Sequence, residues 1–102
     1  AVTSARRIPG LPDVPTMEEA GLPGFVVPSW GAFAFPTGTP APIVAKLAAE
    51  VREITADPAV QRRFLAAGGR AVSSTPQETA RFVAAERQRW GEVVRSAAIR
   101  ME

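Results

Sequence analysis

With 102 residues, the chain has room for one small domain and a modest core. Its 46% hydrophobic and 22% charged content is ordinary for a globular protein, and a net charge of +2, from 12 basic and 10 acidic residues, provides no cationic face for nucleic acid. The absence of Cys, His and Tyr removes thiol nucleophiles, imidazole acid–base chemistry and the usual zinc and haem ligands, so no metal and no cofactor is expected.

The lack of Cys fits a reduced cytosol and equally a periplasm without disulfides. No apolar run approaches membrane-spanning length, and the signal peptide of an exported protein would have to lie upstream of Ala1. Ala1-Val2-Thr3-Ser4 reads as the tail of a strand, small and β-branched residues running straight into a turn, which predicts further chain upstream.

Residues 6–15 form a loop punctuated by Pro9, Pro12 and Pro15. Thr16-Met17-Glu18-Glu19 has the spacing of a capping box, in which the Thr16 hydroxyl accepts the Glu19 amide while the Glu19 carboxylate reaches back. Gly21 supplies a left-handed stop, leaving one short turn of helix between them. Residues 25–35 then read as extended, because Phe25, Val26, Val27, Trp30, Phe33 and Phe35 favour a pleated, half-buried surface. Pro28 interrupts this run and Gly31 weakens it, which fits a bulge, an edge strand or a crossing between two sheets. Pro36-Thr37-Gly38 closes the segment with a turn.

Three helices follow, each with its own start signal. Thr39 is the expected cap of the first, with Pro40 at the first helical position. Ile43, Val44, Leu47, Val51 and Ile54 form its apolar stripe, and Lys46 and Glu50 an i,i+4 pair in the less favourable order. Asp57-Pro58 repeats the device for a shorter helix carrying Val60, Phe64 and Leu65, which Gly68-Gly69 ends. A short extended piece, residues 70–73, precedes Thr75-Pro76-Gln77-Glu78, where proline at N1 combines with a second capping box. The last helix runs to about Ala97 and presents Ala80, Val83, Trp90, Val94 and Ala97 on one face.

Catalysis finds no footing. Ser73 and Ser74 have no His or Cys partner, and no motif links a serine to Lys46, the sole lysine. Glu18-Glu19 and Glu50/Glu53 fall in caps and wet faces, and Gly68-Gly69 ends a helix where a phosphate loop would open one. Trp90 is expected as a core anchor and Arg62-Arg63 as part of a solvated helix face. Arg6-Arg7 follows the strand end, the place where ligands of α/β proteins gather. Trp30, in the interrupted Pro28-Ser29-Trp30-Gly31 stretch, either presents its indole to a cleft or is simply buried.

These residues also carry a resemblance. Residues 1–7, Leu11-Pro12-Asp13-Val14-Pro15-Thr16 and Glu19-Ala20-Gly21-Leu22-Pro23-Gly24-Phe25 occur in this order, followed by Ser29-Trp30-Gly31, the turn of residues 36–40 and Ile43-Val44-Ala45-Lys46-Leu47. Together they resemble the tripartite tricarboxylate transporter receptors, the Bug family of periplasmic solute-binding proteins, and specifically their C-terminal portion. The resemblance implies an α/β chain that is a fragment of a two-lobed clamshell, with a crossover strand and three principal helices. In that scheme residues 1–28 are the tail of the second lobe and its connecting loop. Residues 29–102 are the crossover strand and the C-terminal helices, packing on the first lobe.

The implied function is non-catalytic: a periplasmic receptor that traps a small di- or tricarboxylate or related solute and delivers it to membrane permease subunits. Thr3, Ser4, Arg6, Ser29 and Trp30 are the candidate ligand-binding residues that this family and the strand-end position suggest. The carboxylate-gripping turns near the family's N-terminus have no counterpart here, so the chain alone is expected to bind no such solute tightly. Strand edges and apolar helix faces left open would favour self-association. The rival expectation is a self-standing helical module that binds a protein through its Trp90 face.

Overall fold

The computed structural model describes residues 1–99 and divides the chain into two compact units, Ala1–Phe33 and Ala34–Glu102. Arg100 and the two residues after it lie outside the described residues.

The first unit is built on turns. Val2 donates its N–H to Pro15 O at 2.8 Å and accepts from Met17 N–H at 2.9 Å, forming an isolated parallel bridge with Thr16. On the opposite edge, Thr3 O accepts the Val27 N–H at 2.9 Å. Among the described residues this is all that exists of a sheet. The α/β expectation is thereby corrected: no strand forms, either at residues 1–4 or over 25–35. A strand needs a ladder partner, and Phe25 and Val26 donate locally to Leu22 O and Gly24 O, Val27 reaches across to Thr3 O, and Pro28 removes a donor.

The Thr16 box forms as expected. The Thr16 hydroxyl accepts the Glu19 N–H at 3.1 Å and the Glu19 carboxylate accepts the Thr16 N–H at 2.8 Å. One i→i+4 bond, Ala20 N–H to Thr16 O, completes a single turn, and Gly21 stops it at φ 97°.

The second unit holds three helices: α1 (Ala41–Ala56), α2 (Pro58–Ala66) and α3 (Pro76–Ser96). α1 packs against both α2 and α3. Asp57 ends α1 and starts α2. The following proline forces it into an extended conformation (φ −67°, ψ 123°), which breaks the helix, and its carboxylate accepts the Ala59 N–H at 2.7 Å. Thr75 precedes Pro76 in the same way, and the full capping box with Glu78 is present. The expected cap of α1 is corrected. Pro40 occupies the N-cap and has no side-chain acceptor, while the Thr39 hydroxyl donates back to Pro36 O at 2.9 Å, inside the preceding turn. Lys46 and Glu50 form no ion pair, in keeping with their unfavourable order.

The α1 stripe faces inward only in part. Val44, Leu47 and Val51 are half-buried, whereas Ile43 and Ile54 are exposed. Gln61 stitches the unit together by donating from Nε2 to Thr55 O at 2.6 Å and to Ala71 O at 2.9 Å. Ala71 is the one buried apolar residue among those described, and no described large side chain is fully enclosed. The expectation for Trp90 is corrected accordingly: the residue is 39% exposed, and the α3 residue that is buried is Glu86. The Trp90 indole N–H donates to Glu86 Oε2 at 3.1 Å, and the Arg89 guanidinium lies 5.6 Å from the ring centroid.

Two helices end in the same motif with different residues. After α2, Gly68 at φ 80° lets Gly69 N–H reach Phe64 O and Gly68 N–H reach Leu65 O. After α3, Ala98 adopts φ 51° so that Ile99 N–H reaches Val94 O and Ala98 N–H reaches Arg95 O. An alanine pays a Cβ clash there that glycine avoids. Ala98→Gly is expected to stabilise the helical fold by about 0.5–1 kcal/mol and Gly68→Ala to destabilise it by about 1 kcal/mol, read from urea unfolding followed by far-ultraviolet circular dichroism.

Candidate functional site

All five candidate residues lie in the first unit. Because Val2 and Thr3 are bonded on both edges, the chain is held on two sides just before it turns away. Ser4 makes that turn: its hydroxyl donates to Arg6 O at 2.8 Å, across two residues. Thr3 and Arg6 are exposed and Ser4 is half-buried. Ser29 and Trp30, both exposed, follow two and three residues after Val27, whose N–H is held by Thr3 O. The two groups of candidates therefore issue from neighbouring backbone.

A network that the sequence reading missed sits directly behind this turn. Arg7 Nε donates to Glu19 Oε2 at 2.9 Å and to Oε1 at 3.2 Å, while its Nη1 donates to Pro12 O at 2.9 Å. The Glu19 carboxylate thus serves two tasks, capping the turn through Thr16 N–H and clasping Arg7 across twelve residues of chain. Thr16 beneath it is 4% exposed. Glu18 closes the other side by accepting the Gly24 N–H at 3.0 Å. Arg6, next to the clasped Arg7, makes no ion pair among the described residues. The signal in the sequence was the spare acceptor capacity of a capping glutamate near an Arg-Arg pair, though nothing there says which arginine it takes.

The electrostatics follow from these bonds. The Thr16 backbone N–H, and after it Arg7, hold the Glu19 carboxyl below its ordinary value of 4.5. At α3 the Thr75 backbone N–H and then its hydroxyl do the same for Glu78. Glu78 also borders a shallow cavity of about 170 Å³ in the second unit, with Ala48, Arg52, Ser73, Ser74, Thr75 and Pro76. That volume falls below the roughly 300 Å³ at which small-molecule pockets begin. Among the described residues no cluster of His, Cys, Asp and Glu could hold a metal ion, and no helix is long and apolar enough to cross a membrane.

Comparison with known proteins gives a consistent result. A model of the tripartite tricarboxylate transporter family receptor matches residues 1–99. A UPF0065 protein of Bordetella bronchiseptica is 38% identical over 100 residues, covering 98% of this chain and 30% of its own length. Protein BugT of Bordetella pertussis is 38% identical over 102 residues, covering 100% of this chain and 31% of its own. The solved structure of R. palustris Rpa4515 with adipate matches with a TM-score of 0.84 at 36% identity, over 97% of this chain and 33% of that one. The chain therefore spans about a third of the length of the proteins it matches.

Both capping carboxylates bond best when ionised, so both favour the folded state above their ordinary value of 4.5 and lose that contribution as the pH falls through their depressed folded-state values. Thermal midpoints are expected to be flat from neutrality down to about pH 5 and to decline below it. Glu78→Gln should lower the midpoint at neutral pH and flatten part of the acid limb, as followed by circular dichroism across a pH series.

Proposed function

The chain belongs to the tripartite tricarboxylate transporter family of receptors, and from that premise we propose that it forms part of a periplasmic, non-catalytic receptor for a small di- or tricarboxylate. The observation that carries the solute class is the match to Rpa4515, a structure with adipate, at a TM-score of 0.84 and 36% identity. The chemistry of the first unit supports it. Arg6 is an exposed cation on a turn whose backbone is fixed on both sides, and a carboxylate is the group a guanidinium binds best. In this reading Thr3 and Ser4 add hydroxyls beside Arg6, and Ser29 and Trp30 contribute from the neighbouring segment. Delivery of the solute to membrane permease subunits completes the role.

The same reading covers the architecture. Residues 1–28 belong to the second lobe of a clamshell and residues 29–102 to the crossover and helices of the first. Phe82, Val83, Trp90, Val93 and Val94 leave an apolar face on α3 at least 39% exposed at each position, which suits a helix that packs on a larger lobe. That packing accounts for the Trp90 face without a separate protein-binding module.

A solute trapped between lobes needs both of them. Isothermal titration of adipate, succinate and citrate is expected to show binding by the intact receptor and none tighter than about millimolar by the 102-residue chain alone. Micromolar binding by the chain alone, or the absence of binding by the intact receptor, would overturn this assignment.

A further inference from the structure

Two adjacent arginines of the same chemistry meet different fates. Arg7 is taken up by Glu19 and Pro12 O, whereas Arg6 is left without an ion-pair partner among the described residues. We propose that Glu19 is a positioning residue for the solute site: by holding Arg7 it fixes the Ser4–Arg6 turn and leaves Arg6 as the cation offered to the solute. This inference rests on the receptor reading above.

The geometry runs as one chain of bonds. The Glu19 carboxylate is itself anchored by Thr16 N–H at 2.8 Å, and Thr16 is buried and bridged to Val2. From that anchor Glu19 reaches Arg7 Nε at 2.9 Å, and Arg7 follows directly on Arg6, whose carbonyl closes the turn with the Ser4 hydroxyl at 2.8 Å. Arg7 cannot swing toward a ligand without breaking these contacts, including the one to Pro12 O at 2.9 Å that ties down the proline-rich loop. With its charge compensated by Glu19, Arg7 also adds little to the field at the turn, so the charge facing a carboxylate is that of Arg6.

A stabilising role is the weaker explanation of the clasp. The Arg7 and Glu19 side chains are 46% and 47% exposed, and ion pairs at such exposure contribute little to folding. A network that adds little stability yet fixes one arginine beside a free one is better suited to orientation than to holding the fold.

The test is titration of adipate, succinate and citrate into the intact receptor and its Glu19→Gln, Arg7→Lys and Arg6→Ala variants, each well below its thermal midpoint. Arg7→Lys keeps the carboxylate cap and serves if Glu19→Gln impairs folding. Arg7→Lys is expected to weaken the tightest ligand by about tenfold while the thermal midpoint shifts little, and Glu19→Gln to weaken it about as much, with the lower midpoint that a weakened Thr16 cap entails. Arg6→Ala should weaken it at least as much, and the Glu19→Gln/Arg6→Ala pair no further than Arg6→Ala alone. A lowered midpoint with unchanged affinity in both Glu19→Gln and Arg7→Lys marks a merely structural clasp. That result overturns the inference while the receptor reading stands. Unchanged affinity in Arg6→Ala overturns the division between the two arginines. Absence of binding by the unsubstituted receptor to all three ligands overturns the receptor reading and this inference with it.

Discussion

A capping box, in which a threonine hydroxyl accepts the amide of a glutamate three residues later and that glutamate's carboxylate accepts the threonine amide, recurs in both units, and the order of the chain depends on it. With Ala71 the single buried apolar residue among those described, little hydrophobic burial is available to fix the backbone. Local closures fix it instead. At α3 the Thr75–Glu78 box satisfies amides at the helix start, and Pro76 presets the first turn. In the first unit the same box stands where no full helix follows, and Thr16 anchors the bridge to Val2. Without it, Glu19 would have no fixed position from which to reach Arg7.

The two boxes differ in what surrounds the carboxylate. Glu78 is engaged by Thr75 alone, accepting from its N–H at 2.8 Å and its hydroxyl at 2.9 Å, and Arg81 acts on it only through space. Glu19 divides its oxygens between a backbone amide and a guanidinium. The same four-residue motif thus ends as a cap in one place and as a cap joined to a long-range clasp in the other. What decides between them is whether an arginine arrives across a loop, which the motif itself does not encode.

Legibility in the sequence follows the range of the interactions involved. Asp57 before Pro58, Gly68 after α2 and Thr75 before Pro76 were readable because each acts within about one turn of helix. The strands were misread because β structure needs a partner from elsewhere: residues 25–35 have the right residue types, but Phe25 and Val26 bond locally and Val27 alone is described reaching another segment, at Thr3 O. Trp90 was misread for a related reason. Its face is apolar, but burial requires a surface opposite, and at 39% exposure the indole instead meets Glu86 and Arg89 on its own helix. Thr39 failed as a cap because the N-cap falls one residue later, at Pro40, and the Thr39 hydroxyl is turned back to donate to Pro36 O, a local preference that spacing does not resolve.

The candidate site was half legible. Its residues could be chosen by type and by their place after a strand-like segment, and Val27 N–H to Thr3 O brings their two stretches of backbone together. Arg6 and Arg7, however, are interchangeable on paper: same side chain, same neighbourhood, both exposed. Only the approach of Glu19 separates them, because a carboxylate fixed by a buried threonine neutralises the one arginine it can reach. In a chain with net charge of only +2, a single placed carboxylate is enough to determine where positive charge is offered.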